Sequence, residues 1–348
     1  MALKNFDQIV EQAKSVQKPK TVVIAGADAE NILLGAFMAQ EAGFVFPVLV
    51  GEEEKVVPML EQLGMKDRPY RLVPTQPGEN VAQTAVDVVN RGEGDMLMRG
   101  NTQTREFLLP LLVPENGLRT DKLLAHIDLV CMPEYPKVIA IGDVTVTIEP
   151  NLQQKKTIIA DMVDMLKTVG YERPNIALLS MVEKVAFHMK DTIEAQELVR
   201  EHCRHPIADC QLVGPIAYDL ILSKEAARLK GYDCPLCGEF DGIVVPSLLA
   251  GNLIVKCWQM HAHAQTCGVV IGAKIPVALT SRSDDKEVAF HSLAFCTALS
   301  QNCLLYTSYS PHCSAASACW QSPAAAPECR SWRCKTRPPC PEPPQPPS

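Results

Sequence analysis

Short apolar runs alternate with helical runs of mixed polarity along most of this chain, and this alternation limits its fold more than any other feature. Residues 21–26 form an apolar run that ends in glycine, residues 29–42 have helical periodicity, and residues 46–51 are apolar again. Strand, helix and strand at this spacing predict parallel βαβ units. The sequence therefore predicts an α/β protein.

The alternation continues to about residue 300, which in a chain of 348 residues is enough for about two domains. Residues 137–141 and 145–148 are two strand-like runs with no helix between them. They predict a hairpin that turns at Gly142 and Asp143. The other predicted elements are helices at residues 5–16, 80–91, 153–169, 192–202 and 286–300, and strands at residues 95–100, 175–180, 242–245, 268–271 and 277–279.

The composition changes abruptly after Gln301. Proline, serine, alanine and cysteine follow without periodicity, and such a segment cannot bury enough apolar surface to offset the entropy of ordering it. One interpretation is a natural proline-rich tail. Residues 303–308 also resemble one reading frame of the transposon mosaic end used in sequencing libraries, and we favour a native chain that stops near Gln301. Residues 302–348 are therefore expected to be a disordered or artefactual tail.

Charge and hydrophobicity exclude two classes of protein. The net charge is −7 and no basic stripe is present, so we expect no nucleic-acid partner. No apolar run is long enough to cross a bilayer, so we expect no membrane insertion. Residues 1–7 lack the apolar core of a secretory signal, which favours a cytoplasmic location.

The sequence lacks the motifs of common cofactors. The G-x-G-x-x-G spacing of dinucleotide-binding loops is absent after Gly26, and no Walker motif or G-x-S-x-G elbow occurs. Cys234 and Cys237 form a C-x-x-C pair, but the part before residue 302 offers no second pair, and structural zinc needs four ligands. We therefore predict no bound metal and no tightly bound cofactor.

Residues 276–285 carry the strongest functional signal, because an apolar strand ends there in Ser281, Arg282 and Asp284. Ligands of α/β proteins bind at the carboxyl ends of strands, so these side chains are expected to face a cleft. The arginine suits phosphate, the serine can donate to a developing oxyanion, and the aspartate can take a proton. Serine and aspartate are also common caps before a helix, so a purely structural turn accounts for the same residues.

Three other polar loops follow strands and suit the same cleft. The first places two arginines beside a predicted helix start, which is an arrangement that binds anions. Thr102 or Thr104 could instead simply cap that helix. Glycine and proline set a turn in the second loop, and the third follows the predicted strand 242–245. Their candidate residues are Arg99, Thr104 and Arg105 in the first, Gly214 and Asp219 in the second, and Gly251 and Asn252 in the third.

Taken together, these segments resemble the phosphate acetyl/butyryl transferase family. The similarity rests on residues 95–100, 214–219, 250–252 and 280–284, whose order and spacing agree with the family over about residues 5–300. The length of the chain and the run Leu-Met-Arg-Gly at residues 97–100 are most similar to the phosphate butyryltransferase branch.

The resemblance implies two α/β domains of the isocitrate/isopropylmalate dehydrogenase-like type, with a cleft between them. The first domain would comprise residues 1–120 and 273–301, so that the last helix returns to the N-terminal half. The second would comprise residues 121–272. Its hairpin near Asp143 would lie at a subunit interface of a homodimer or larger homo-oligomer.

The resemblance also implies a reaction in which acyl-CoA and phosphate give acyl phosphate and CoA, by direct transfer in a ternary complex. Coenzyme A and phosphate would be substrates, with butyryl as the expected acyl group. The alternatives are a phosphate acetyltransferase, a dehydrogenase on the same fold, and a non-catalytic ligand-binding protein. A dehydrogenase would need a nicotinamide site and acidic metal ligands, and the sequence shows neither pattern.

The site residues carry over one by one. Ser281 and Arg282 match the serine and arginine of the family, while the base is Asp284, Asp285 or Asp219, with Asp284 favoured. In the acetyltransferase branch the acid lies further along, at the position of Val288 here. The remaining assignments are Arg99, Thr104 and Arg105 for phosphate, and Gly214, Asp219, Gly251 and Asn252 for the CoA cleft.

Overall fold

One mixed sheet runs through the whole molecule. The computed structural model describes residues 3–113 and 118–301, and the proposed tail lies outside these residues. Within them, eleven strands pair in the order β3-β2-β1-β4-β11-β10-β5-β6-β9-β7-β8. They are β1 (Lys20–Ala25), β2 (Val45–Gly51), β3 (Arg71–Pro74), β4 (Met96–Arg99), β5 (Ala125–Cys131), β6 (Ile139–Gly142), β7 (Asn175–Leu179), β8 (Gln211–Ile216), β9 (Gly242–Val244), β10 (Gln265–Ile271) and β11 (Val277–Ala278).

Helices connect most of these strands, as the predicted βαβ pattern requires. They are α1 (Asp7–Lys14), α2 (Glu30–Glu41), α3 (Glu53–Gln62), α4 (Val81–Asn90), α5 (Thr104–Leu112), α6 (Leu152–Thr168), α7 (Lys190–Arg204), α8 (Tyr218–Leu222), α9 (Lys224–Lys230), α10 (Leu248–His261) and α11 (Lys286–Gln301). Side-chain caps set several of the helix starts. Asn151 and Gln154 form a capping box at α6, and the Ser247 hydroxyl accepts from the Ala250 N–H at α10.

The strand directions change only in the middle of the sheet. Strand β10 is antiparallel to both β11 and β5, and β5 is antiparallel to β6, whereas the remaining pairs are parallel. The α/β prediction is therefore confirmed. Strands β3, β5 and β8 were absent from the sequence prediction, and β5 borders the cavity described below.

The last helix packs against the start of the chain. Helix α11 contacts α2, α1 and β10, as the resemblance implied. Gly35 allows this close approach, because a Cβ atom at this position would lie 2.5 Å from the Cβ of Ala289. The division into a domain of residues 1–120 with 273–301 and a domain of residues 121–272 remains a prediction, since one continuous sheet joins both parts.

The predicted hairpin between residues 137–141 and 145–148 is wrong. Strand β6 already has a neighbour on each side, β5 and β9, so no edge is free for a returning strand. The Asp143 carboxylate instead accepts from four backbone N–H groups at 2.8–3.2 Å. The donors are His126, Thr145, Val146 and Thr147. These bonds fold residues 143–147 into a compact turn.

Replacing Asp143 by alanine is expected to destabilise the protein by roughly 3 kcal/mol, because four backbone donors lose their acceptor where Asp143 is only 1% exposed. The free energy of unfolding in urea measures this effect. Asp209→Ala is the matched control, since exposed Asp209 pairs only with surface cations and should change stability by less than about 1 kcal/mol. Equal losses in the two variants would contradict a structural role for Asp143.

Candidate active site

A small cavity of about 120 Å³ lies where β4 and β11 end, next to α10 and the start of α11. It brings together predicted residues from three of the four polar loops. These residues are Arg99, Thr104, Asn252, Ser281 and Asp284. They meet because the carboxyl ends of β4, β11 and β9 lie on one register line across the sheet, although β9 runs antiparallel to the other two.

Asp284 is held in place by hydrogen bonds to both carboxylate oxygens. Its Oδ2 accepts from the Ser281 N–H at 2.7 Å, and its Oδ1 accepts from the Gln259 side chain at 3.3 Å. Lys256 lies 3.8 Å from the same Oδ1 atom. Burial raises the pKa of Asp284 above its ordinary value, against the opposing effects of these donors. A fixed carboxylate with a raised pKa has the properties of a general base.

The neighbouring Asp285 has a different role. Its Oδ1 accepts from the Val288 N–H at 3.0 Å, which caps the start of α11, and its side chain is exposed. The capping interpretation of this turn therefore applies to Asp285, while Asp284 lines the cavity. This geometry favours Asp284 over Asp285 as the base.

Two guanidinium groups lie close together without a carboxylate partner. Arg99 is 6% exposed, donates from Nη1 to Thr104 Oγ1 at 2.9 Å and leaves its buried Nε without a partner. Burial lowers the pKa of Arg99, and the positive charge of Arg282 lowers it further. Arg282 follows the cavity-lining Ser281 but does not itself line the cavity; it is exposed and makes no hydrogen bond or ion pair within the described ranges. Two such cations beside an open cavity are suited to an anion.

The Ser281 hydroxyl lies 3.0 Å from that of Ser283 and makes no direct bond to Asp284. Its backbone N–H holds the Asp284 carboxylate, so the two residues are linked through the main chain. The hydroxyl can rotate to donate into the cavity.

A polar group inside the sheet was not predicted from the sequence. His126 and Asp128 lie on β5, and Thr266 lies on the adjacent strand β10; all three border the cavity. Polar residues at alternate positions of residues 125–131 could have indicated this group. The same residues interrupt the continuous apolar run that is typical of a buried strand, so no strand was predicted there. Burial lowers the pKa of His126 to about 3, so its ring is neutral.

Helix α10 contributes one face to the cavity. Asn252, Lys256 and Gln259 are spaced by four and then three residues, which places them on the same side of the helix. The Asn252 side chain also donates to the Val144 carbonyl at 3.3 Å. Gly251 does not line the cavity; it lies buried where a Cβ atom would meet Val245 at 3.0 Å.

Besides Gly251 and Arg282, three predicted residues do not line this cavity. Arg105 is exposed, because it follows Thr104 on α5 and points in another direction around the helix. Gly214 lies within β8, at the edge of the sheet. Asp219 is exposed and pairs with Lys230 at 2.8 Å, and this ion pair lowers its pKa. The predicted CoA contacts of Gly214 and Asp219 and the phosphate contact of Arg105 therefore have no support from the cavity.

A larger cavity of about 440 Å³ lies at the ends of β1, β2 and β4. Its charged lining consists of one lysine and four carboxylates, namely Lys55 with Asp28, Glu52, Glu79 and Glu106. This excess of negative charge disfavours an anion, so the smaller cavity with Arg99 is the better phosphate site despite its size.

Within residues 3–113 and 118–301, no cluster of three or more potential metal ligands is found. No helix in those ranges combines the length and apolarity needed to span a membrane.

The family model described as Phosphate acetyl/butaryl transferase matches residues 73–297. The chain belongs to this family. It is therefore a phosphate acyltransferase by family, and relatives of both kinds match it at similar identity. A phosphate acetyltransferase of Thermotoga maritima is 32% identical over 289 residues, which cover 83% of this chain and 97% of that protein. A phosphate butyryltransferase of Clostridium acetobutylicum is 30% identical over 300 residues, 86% of this chain and 99% of that protein.

Solved structures agree with this fold. A branched-chain phosphotransacylase from Enterococcus faecalis is 29% identical, has a TM-score of 0.71, and is matched over 81% of this chain and 99% of its own. A 4-hydroxythreonine-4-phosphate dehydrogenase from Klebsiella pneumoniae has a TM-score of 0.51 at 13% identity, over 82% of this chain and 100% of its own. The second likeness concerns the fold alone and confirms the predicted dehydrogenase-like architecture.

Proposed function

We propose that this enzyme transfers a short acyl group between coenzyme A and inorganic phosphate by direct attack of the CoA thiolate on the acyl phosphate. This proposal is supported by the guanidiniums of Arg99 and Arg282, which have no carboxylate partner within the described residues and lie near the buried carboxylate of Asp284. The cations can bind phosphate, and the carboxylate can remove the proton of the CoA thiol.

Each group has a defined task in this proposal. Asp284 takes the proton of the CoA thiol, whose pKa of about 8.5 requires only a modest base. The thiolate attacks the acyl carbonyl, and the Ser281 hydroxyl donates to the oxyanion that develops there. Arg99 and Arg282 stabilise the phosphate as the bond to the acyl carbon breaks. The reverse sequence forms acyl phosphate from acyl-CoA and phosphate, and neither direction requires a further cofactor.

The experiment that tests this function measures phosphate-dependent release of CoA from acyl-CoA with a thiol reagent. Acetyl-, propionyl-, butyryl- and isobutyryl-CoA are compared by kcat/KM. We retain a chain of butyryl length over acetyl, and a preference for acetyl-CoA would contradict that choice. Absence of phosphate-dependent CoA release with every acyl-CoA would contradict the acyltransferase function itself.

We also propose that the chain forms a homo-oligomer through one face of α10. Leu249, Leu253 and Met260 are 75%, 58% and 73% exposed, and their spacing places them on one side of the helix. Ile148, which is 74% exposed, adjoins them, because its carbonyl accepts from the Leu248 N–H at 2.9 Å. A contiguous apolar patch of this kind is typical of an interface. It also lies beside the segment near Asp143 that the resemblance implied at a subunit contact.

Replacing both Leu249 and Leu253 by glutamate is expected to reduce the mass measured by light scattering to that of one chain, because burying two charges at an interface is unfavourable. Leu229→Glu is the matched control, since this leucine is 71% exposed on α9, outside the patch. A wild-type protein that is already monomeric would contradict the proposal, as would an unchanged mass of the double variant.

A further inference from the structure

The side of β5 that borders the cavity carries ionisable groups deep inside the sheet. His126 and Asp128 are two residues apart and therefore on the same face of the strand. They are 5% and 9% exposed. The opposite face of this strand, at Ala125, Ile127 and Leu129, packs into the hydrophobic core. Burying polar groups in a central strand is costly, and core packing does not explain it.

The neighbouring strand leaves space for these polar atoms. Gly268 of β10 lies directly opposite Asp128. A Cβ atom at Gly268 would lie 2.5 Å from Asp128 Oδ1 and also 2.5 Å from His126 Nε2. Any larger residue would therefore displace both groups from the floor of the cavity.

Hydrogen bonding in this group is incomplete. His126 Nδ1 lies 2.7 Å from Thr145 Oγ1, whereas the buried Nε2 interacts with the Leu279 carbonyl without forming a well-aligned hydrogen bond. Asp128 Oδ1 is 3.4 Å from that Nε2 atom. The Asp128 carboxyl makes no hydrogen bond to any residue within the described ranges. Polar groups whose hydrogen bonding within the protein is this weak are groups that a ligand in the cavity can satisfy.

At the floor of the cavity, beside Asp128, the charges favour a neutral ligand group. Burial raises the pKa of Asp128 well above its ordinary value, and the nearby Asp284 raises it further. An added carboxylate would lie beside both of these carboxyl groups. An added ammonium would instead approach Arg99 and Lys256, which border the same cavity. A hydroxyl carries no charge and can both donate and accept.

We propose that the acyl group transferred by this enzyme carries a hydroxyl, which hydrogen-bonds to Asp128 and His126 at the floor of the cavity. The inference rests on the proposed acyl transfer and defines its substrate class. The cavity of about 120 Å³ fits a short acyl chain, and the apolar side chains Val144, Val255 and Leu279 contact its methylene groups. A purely aliphatic chain would leave the Asp128 carboxyl and His126 Nε2 with little more than their long mutual contact at 3.4 Å.

The test compares kcat/KM for butyryl-CoA, for 2-, 3- and 4-hydroxybutyryl-CoA and for 3-aminobutyryl-CoA, using phosphate-dependent CoA release by the full chain. A site built to bind a hydroxyl rejects an analogue that lacks it, by up to about 10⁴-fold when fully buried. In this open cavity we expect at least one hydroxyacyl-CoA to exceed butyryl-CoA by about tenfold or more. In Asp128→Val, this preference should fall by at least about tenfold.

Asp161→Val is the matched control, because Asp161 is a buried carboxyl on α6 outside the cavity, paired with Lys122 at 3.4 Å. It should retain the wild-type preference. Should Asp128→Val fail to fold, the wild-type series decides the question. Butyryl-CoA or 3-aminobutyryl-CoA as the best substrate would overturn the inference, and so would an unchanged preference in Asp128→Val. Absence of reaction with every acyl-CoA would instead overturn the acyl transfer on which the inference rests.

Discussion

Replacing Asp284 by asparagine is expected to lower kcat by about 10²–10⁴, the usual loss when a general base is removed. The KM values for CoA and acyl phosphate should change little. Asparagine keeps the shape of the side chain and can still accept from the Ser281 N–H, so the turn should persist. Steady-state kinetics in the direction of acyl-CoA formation measure the effect.

Asp285→Asn is the matched control, because asparagine caps a helix about as well as aspartate does. It should retain nearly wild-type kcat, since the Asp285 carboxylate caps α11 and does not line the cavity. If Asp285→Asn proves to be the inactive variant, the base is the other aspartate. If both variants remain fully active, the proton is taken by another group.

The pH dependence provides a second test of Asp284. Because burial raises its pKa, wild-type kcat should rise as pH increases through that raised value, where the carboxyl becomes ionised. Asp284→Asn lacks this step, and its rate should increase towards the pKa of the thiol near 8.5. The ratio of wild-type to variant kcat should therefore shrink at alkaline pH. A ratio that is constant from acidic to alkaline pH would argue against proton transfer by Asp284.

The same raised pKa predicts how stability responds. A carboxyl whose pKa is higher in the folded than in the unfolded state binds more protons when folded, so stability falls as pH rises between the two values. Above that range, ionised Asp284 destabilises the fold, and Asp284→Asn should be at least as stable as the wild type at neutral pH. A strongly destabilised variant would indicate that Asp284 has a structural role.

The second large effect is expected at Arg282. Arg282→Ala should raise the KM for phosphate and lower kcat together, with a loss of about 10²–10³ in kcat/KM, because the guanidinium contacts phosphate both before and during the reaction. Arg282→Lys should also lose most of the activity, since an ammonium cannot replace two parallel N–H donors. Phosphate-saturation kinetics separate the two parameters.

Arg228→Ala serves as the control for removing an exposed arginine. Arg228 pairs with Glu225 on α9, away from the cavity, and its loss should leave the kinetics unchanged. Arg282 has no partner within the described residues, so Arg282→Ala should melt at the wild-type temperature. Wild-type kinetics for Arg282→Lys would show that a single positive charge is sufficient at this position.

The loops that end strands could be predicted from the sequence. Arg99, Thr104, Asn252, Ser281 and Asp284 were each identified from their own segment, and the structure places them around one cavity. The residues could be identified because the hydrophobic pattern locates the carboxyl ends of strands, where ligands of α/β proteins bind. That the end of β9 meets those of β4 and β11 from the opposite direction follows only from the strand pairing. The sequence already favoured Asp284 over Asp285 as the base, although only the structure shows that Asp285 caps α11.

The strand order could not be predicted in the same way. Gly214 and Asp219 follow the same local pattern as the other loops, yet β8 lies at the edge of the sheet, separated by four strands from β10. The hairpin prediction was wrong for a related reason, since β6 pairs with β5 on one side and with β9, about 100 residues further along the chain, on the other. Such pairings depend on long-range contacts that no local pattern encodes.

By itself, then, the sequence determined the α/β class, the approximate helices and strands, and the chemical types that end the strands, because these follow from local periodicity and composition. Only the tertiary structure decided which strand ends meet. It also placed His126 and Asp128 of β5 opposite Gly268 of β10, on the floor of the cavity. These positions are 140 or more residues apart in the chain, and their contact depends on the register of two paired strands.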